Sequence, residues 1–482
     1  MRSGPELVEI LHLLDRGDRT EAASRIGVLL RDGSAEARDG SPADSARLAA
    51  VLRSLDRIQE AKRAVTEGRV ADLAKHARAA CTELDPALPW LAMYAGSLLQ
   101  AAFRFTGDRA LRDDALEALR PIADRVDVPE AAVPARAMMG SVHLLAGAYH
   151  ATVEFCDAAL GLARAFGLED CPPAALAHQF RGYVLFEWNR LDEARDALAS
   201  AWHASESGNN GVRSGVARVM AQLAAIRGET QEAEVWLERL EALVGEPMTL
   251  RNREWLKAVR IRHTIGTGDL RAIDEWLRAW DYRPETLAAA NDLHLSGRLH
   301  ELDGVLHLLE ATERWSEVVA LAPLIHRVAH DRRSWFDARA LSTWAVALEA
   351  RGLRNDAGEL FNRALLAGDT GSFVRLYIDG NPIRVKLLER LAAADPANVH
   401  AHRVLGSAPE LRSGVMRTAD PLTDRQLAVL RLVEQGCSNK AIARELGVTL
   451  STVKTHLRAT FFRLDAVSRT QAIARARERG LL

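Results

Sequence analysis

No run of about 18 apolar residues occurs anywhere in this 482-residue chain, so no membrane-spanning helix is expected. The start, "MRSGPELVEILHLLDRGD", also lacks the layout of a secretory signal. Cysteine is scarce: Cys81, Cys156, Cys171 and Cys437 are scattered without metal-ligand spacing. That excludes a disulfide scaffold and a cysteine-built zinc module, and fits idle thiols in a reducing cytoplasm. Aromatics make up 5% of the chain and proline only 16 residues, so helix breakers are few. Lysine occurs six times, and no lysine follows a glycine. A phosphate-cradling loop with Gly-Lys-Ser/Thr is therefore absent, and ATP is not expected to bind. Neither Gly-x-Ser-x-Gly, His-Glu-x-x-His nor Cys-x-x-Cys occurs. No enzymatic chemistry, metal or cofactor is expected.

What the chain has is a large acidic body and a small basic end. Residues 421–482 carry 11 Lys+Arg against 5 Asp+Glu, a net of +6, while the remaining 420 carry 52 against 60, a net of −8. Such asymmetry points to one module that meets nucleic acid.

The body is punctuated at a nearly constant interval. Turn-like positions stand at Gly68, Gly107, Gly147, Asn189, Gly228, Gly268, Glu313 and Gly352, with steps of 39, 40, 42, 39, 40, 45 and 39. Most lead into an amphipathic helix, as in "GAYHATVEFCDAALGLA" and "NRLDEARDALASAW", whose apolar residues recur three and four apart. Another helix of similar length precedes each turn. One helical hairpin cannot bury its apolar face, but stacked hairpins can, so an α-solenoid is expected. Alanines four or five residues past the turn (Ala151, Ala194, Ala233, Ala272 and Ala357) mark where helices should pack close. "GSFVRLYIDGNPIRVKLLERL", residues 371–391, breaks the pattern and reads as the closing segment. The expected layout is all-α: a helical-repeat domain over 1–405, a linker over 406–420 rich in small and polar residues, and a four-helix domain over 421–482.

In the last domain Thr423 with Gln426 forms a capping-box start, and Gly436 ends the first helix. Ser438 caps the second helix, Gly447 makes a tight turn and Thr449 caps the third. Leu427, Leu430 and Val433 give the first helix an inner face. Val453, Leu457, Phe461 and Leu464 do the same for the third, leaving Ser451, Thr455 and Arg458 opposite them with Lys454 alongside. Lys and Arg one turn apart can reach base edges in the major groove while short hydroxyls touch phosphate. His456 has no nucleophile or carboxylate partner in view and reads as a helix-packing residue or a phosphate contact.

The pattern "PLTxRQ…VLRLVEQGxSNKxIAxxLGVTxSTVKTHLR…RLxAxSRTQA" resembles the LuxR-type helix-turn-helix domain over residues 421–482. The resemblance implies that Lys454, Thr455 and Arg458 read bases, and that Asn439, Lys440, Ser451, Thr452 and Arg463 face the backbone of a double-stranded operator. It also implies a homodimer, with the fourth helix around Thr470 to Ala474 as the contact, and RNA polymerase as a partner. Helical repeats followed by such a domain resemble the carboxy-terminal half of the MalT/LAL group of large activators. That resemblance implies a sensor body that binds a small inducer in its concave groove. Residues at comparable positions on the first helices suit an acidic organic compound or a CoA thioester: Arg136, His178 and Lys257, then Arg181 and Arg260, then Arg213 and Arg253. Phe180, Tyr183, Trp188 and Trp255 lie among them. The alternative is a scaffold that recruits another protein and binds no small molecule.

Overall fold

The computed structural model describes residues 24–26, 28, 42–67, 69–81, 89–205, 210–243, 256, 259–260, 287, 290, 292, 295, 298–330, 334–379, 381–408, 422, 424–448, 453, 456–457, 460–461, 464, 466, 469–478 and 480–482. Among the described residues the structure is helical throughout, with no strand. The helices of the described residues run, in the first half of the chain, α1 (Pro42–Glu67), α2 (Val70–Cys81), α3 (Pro89–Thr106), α4 (Arg109–Ala123), α5 (Pro129–Leu145), α6 (Tyr149–Ala165), α7 (Pro172–Glu187), α8 (Leu191–Ala204), α9 (Asn210–Ile226) and α10 (Thr230–Leu243). Seven more follow: α11 (Leu299–Ala311), α12 (Trp315–Ala329), α13 (Ser334–Ala350), α14 (Arg354–Ala367), α15 (Arg375–Ile378), α16 (Ile383–Ala394) and α17 (Val399–Gly406), with a 3₁₀ turn at Asp369–Gly371. The last three are α18 (Asp424–Glu434), α19 (Asn439–Glu445) and α20 (Arg469–Glu478).

The chain divides into two compact units, one of Met1–Val184, Asp192–Val216 and Leu243–Arg253, the other of Leu185–Leu191, Ala217–Ala242 and Glu254–Leu482. In the first, α1 to α6 pack in series, each against its neighbour, and α1 also meets α3, α2 meets α4 and α3 meets α5. Leu55, Leu73, Leu99, Phe103 and Leu119 lie in one continuous core. In the second, α11 to α14 pack in the same serial way, around Leu302, Leu306, Leu321, Ile325 and Phe336. Serial neighbour-on-neighbour packing is how helical repeats bury faces that no single hairpin can bury.

The periodic turn positions have a common physical basis. Gly107, Gly147, Asn189, Gly228, Glu313 and Gly352 all have positive φ, from 58° at Glu313 to 85° at Gly352. At Gly147 the N–H donates to Leu144 O at 3.0 Å and the next N–H, of Ala148, reaches back to His143 O at 2.9 Å. The same pair of bonds recurs at Asn189, Gly228, Glu313 and Gly352, so each first helix ends in a Schellman motif. Gly107 differs: it donates to Phe103 O at 2.8 Å, and Asp108 then caps α4 by accepting from Ala110 N. Gly68 and Gly268 lie outside the described residues.

At Gly147 and Asn189 a small residue closes the hairpin seven positions before the turn. A Cβ added at Gly182, seven residues before Asn189, would stand 2.8 Å from Leu198 Cγ and 3.3 Å from Ala194 O. Gly140, seven before Gly147, faces Thr152, whose hydroxyl donates to Gly140 O at 3.0 Å. Ala194, Ala233 and Ala357 are buried as expected. Ala151 is only half-buried, because the equivalent position, five past the turn, is Thr152. Ala272 lies outside the described residues.

Charged groups are buried along α11, α13 and α16. Arg384 is fully buried and meets Glu310 with both terminal nitrogens. It also donates to Thr343 Oγ1 at 2.7 Å and to the Asp379 carbonyl at 3.0 Å. The closing segment is thus a 3₁₀ turn and two helices, tied into the unit by this arginine and by Tyr377, whose hydroxyl donates to Ala364 O at 2.7 Å.

Candidate nucleic-acid interface

Three junctions position the basic end. At the first, Gly436 has φ 79°, and Cys437 N–H donates to Leu432 O at 3.0 Å, which ends α18. Two residues later Ser438 turns extended and its hydroxyl accepts from Ala441 N–H at 3.2 Å, which starts α19. At the third, Gly447 has φ 63° and Val448 N–H reaches Ala443 O at 2.9 Å, which ends α19 after seven residues. α18 and α19 are joined by a short turn that contains Gly436, and Gly447 follows α19, as the short glycine-bearing turns of helix-turn-helix units allow.

Behind these junctions are two apolar clusters. One holds Leu422, Leu430, Leu464, Ala472 and Ala476; the other holds Val429, Val433, Ile442, Val453 and Leu457. Phe461 packs against both. Val453, His456, Leu457, Thr460 and Phe461 are helical. The inward set read from the sequence, Val453, Leu457, Phe461 and Leu464, is buried or half-buried, and His456 and Thr460 join it. Burial pushes the His456 imidazole below its ordinary pKa, and nearby Arg425 adds to the shift. It is a buried packing residue whose neutral form the surroundings favour.

Arginines fasten the helices together. Arg469, at the start of α20, donates to Asn439 Oδ1 at 2.8 Å and to Cys437 O at 2.6 Å, gripping the residues on either side of the Ser438 cap. Arg425 on α18 donates to the Leu446 carbonyl at the end of α19. Arg477 pairs with Glu434 at 2.9 Å. None of these is visible to helical periodicity, because the partners lie 21 to 43 residues apart. The only sequence signal was the adjacency of Ser, Arg and Thr at 468–470.

Of the residues expected at DNA, two are described. Lys440 is exposed on the first turn of α19. Asn439 beside it is half-buried; its side-chain oxygen is taken by Arg469, which orients the amide N–H₂ as the remaining donor. Ser451, Thr452, Lys454, Thr455, Arg458 and Arg463 lie outside the described residues.

The residues expected to line a ligand groove have the following surroundings. In the first unit, Arg136 donates to Ala123 O at 2.8 Å, at the end of α4, and to Ala158 O at 3.4 Å. Arg181 pairs with Asp157 at 2.9 Å. Burial holds the His178 imidazole below its ordinary pKa, and the Arg181 charge pushes it the same way. Tyr183 meets Tyr149 edge to face, with ring centres 6.1 Å apart. The Arg213 guanidinium lies 4.1 Å over the Trp202 ring. In the second unit, Arg260 donates to Glu241 at 2.8 Å. Trp255 and Lys257 lie outside the described residues.

The family model described as MalT-like TPR region matches residues 57–394, and the one described as bacterial regulatory proteins, luxR family, matches residues 420–476. The HTH-type transcriptional regulator MalT of Serratia proteamaculans (strain 568) is 26% identical over 368 residues, covering 69% of this chain and 39% of that protein. The chain thus spans about two fifths of the length of this curated relative.

Proposed function

The chain belongs to the family defined by the MalT-like TPR region, and from that premise we propose that it is a bacterial DNA-binding transcriptional regulator. The observation that carries the reading is the luxR-family match at the basic end, together with its capped, arginine-clamped helix pair. In this reading, residues 421–482 dock a third helix into the major groove. Lys454, Thr455 and Arg458 read base edges, and Asn439, Lys440, Ser451, Thr452 and Arg463 hold the phosphate backbone. Burial of Val453, Leu457 and Thr460 supports it, since helical spacing from those positions leaves 454, 455 and 458 for a ligand. The protein acts in the cytoplasm as a dimer on a two-fold operator, and communicates with RNA polymerase.

A gel-shift series tests this. Arg458→Ala and Lys454→Ala should each lose roughly 1–3 kcal/mol of specific binding without loss of fold. Lys440→Ala should weaken all sequences alike and reduce the salt slope by about one unit. Unchanged operator affinity in both Arg458→Ala and Lys454→Ala would remove the assignment.

For the body, residues 1–405, we propose sensing of an acidic small molecule. The support is Arg213, whose guanidinium is stacked on Trp202 and whose Nε finds no hydrogen-bond partner among the described residues. A carboxylate binding at Arg181 or Arg260 would have to displace Asp157 or Glu241. An inducer should raise the melting temperature of the chain and shift operator affinity only as far as it prefers one state of the protein. A body that responds to no such molecule but retains a partner protein would be a scaffold instead.

A further inference from the structure

We propose that His326, His330 and Asp337 form a site for a divalent transition metal of the zinc class. The three come from adjoining helix ends. His326 lies in the last turn of α12 and His330 is its C-terminal cap residue, four positions on. Asp337 lies in the first turn of α13. The i, i+4 spacing sets both imidazoles on one face of the helix end. Both turn Nδ1 to the same carboxylate: His326 Nδ1 is 2.5 Å from Asp337 Oδ1, and His330 Nδ1 is 3.0 Å from Oδ2. One donor atom from each residue lies within 4.8 Å of the other two. A zinc ion with ligand bonds of about 2.0–2.2 Å needs donors roughly 3.3 Å apart, which small rotations of the two imidazoles supply.

The chemistry of the set selects the ion. Two imidazoles and one carboxylate favour zinc and its neighbours over calcium or magnesium, which require mostly oxygen. Three protein ligands leave a fourth position for water. The carboxylate side chain of Asp337 is 4% exposed, while that of His330 is 56% exposed, so the ion has a route in past His330 to a buried anion. Binding removes the proton from each Nδ1 and leaves it on Nε2. For His326 that gives up a 3.5 Å contact from Arg363, an exposed side chain able to swing away. Bound metal would join the end of one hairpin to the start of the next. No cysteine takes part, so cysteine spacing in the sequence gave no sign of it.

The test uses the full chain, stripped with a chelator and titrated with zinc by calorimetry and with cobalt by visible absorption. One equivalent should bind and raise the melting temperature, with a ligand-field band from cobalt. His330→Gln, an exposed change, should weaken the affinity by roughly tenfold or more and abolish the cobalt band, and His326→Gln should do the same. Asp337→Asn should lose the site as well, with circular dichroism checking that it folds. A chain that binds no zinc in the micromolar range would overturn the proposal. So would unchanged binding in both histidine variants; the cluster would then be a hydrogen-bonded brace only.

Discussion

At the scale of single residues, the body's regularity rests on a left-handed backbone position at each hairpin turn. Where the residue there is glycine the conformation costs little; where it is Glu313, with φ 58°, the Cβ crowds the following carbonyl. Gly352, with φ 85°, has nothing within 4 Å of where a Cβ would stand, so the cost of a side chain there is conformational alone. Gly352→Ala should therefore destabilise by about 1 kcal/mol, and Glu313→Gly should stabilise by up to about 1 kcal/mol, as denaturant midpoints will show. A second prediction concerns His456. Its folded pKa is lowered by burial, so the unfolded chain binds the proton more readily. The neutral, buried form contributes stability above the unfolded value of about 6.5, and that contribution is lost as pH falls from there through the folded value. The basic domain should unfold more easily at pH 5.5 than at pH 7.5. A His456→Gln variant should lose much of that dependence; an unchanged pH profile would remove His456 as its source.

At the scale of elements, α16 is held by an ion pair that lies out of water. Arg384 and Glu310 are buried, and the arginine's other hydrogens are taken by Thr343, Ser342 and the Asp379 carbonyl. Removing one partner strands the other charge. Arg384→Ala should cost about 3–5 kcal/mol, whereas Arg384→Met with Glu310→Leu should come close to the parent, because the pair's desolvation cost nearly cancels its attraction. Chemical denaturation of Arg384→Met, Glu310→Leu and the double decides it: additive losses would show that the charges do not act as a pair. Periodicity could not reveal this contact, since it reports which face of a helix is apolar and Arg384 sits within such a face. Helix existence was legible for the opposite reason. Apolar residues three and four apart, with glycine or asparagine at the exits, state both the face and the end of an element, as the Gly147 and Gly352 turns show. Ala151 was misplaced by one residue because alanine is common enough to occupy a neighbouring position by chance, while Thr152 makes the contact.

At the scale of the whole molecule, the two kinds of chemistry were legible to different degrees. The basic end declared itself through local signals: a cap at Ser438, left-handed glycines at 436 and 447, and an apolar stripe ending at Leu464. Its clamp, Arg469 on Asn439 and Cys437, was hidden because it joins residues brought together only by folding. The body declared its repeat but not its cargo. Cations at like positions along the helices look the same in sequence whether they await a ligand or, like Arg136 and Arg181, already serve a carbonyl or an aspartate. The hairpin closure has a consequence for heredity. At Gly147 and Asn189, a glycine seven before the left-handed residue and Thr152 or Ala194 five after it satisfy the tight end of the hairpin. Residues away from these positions can therefore change what the hairpin touches without disturbing its closure.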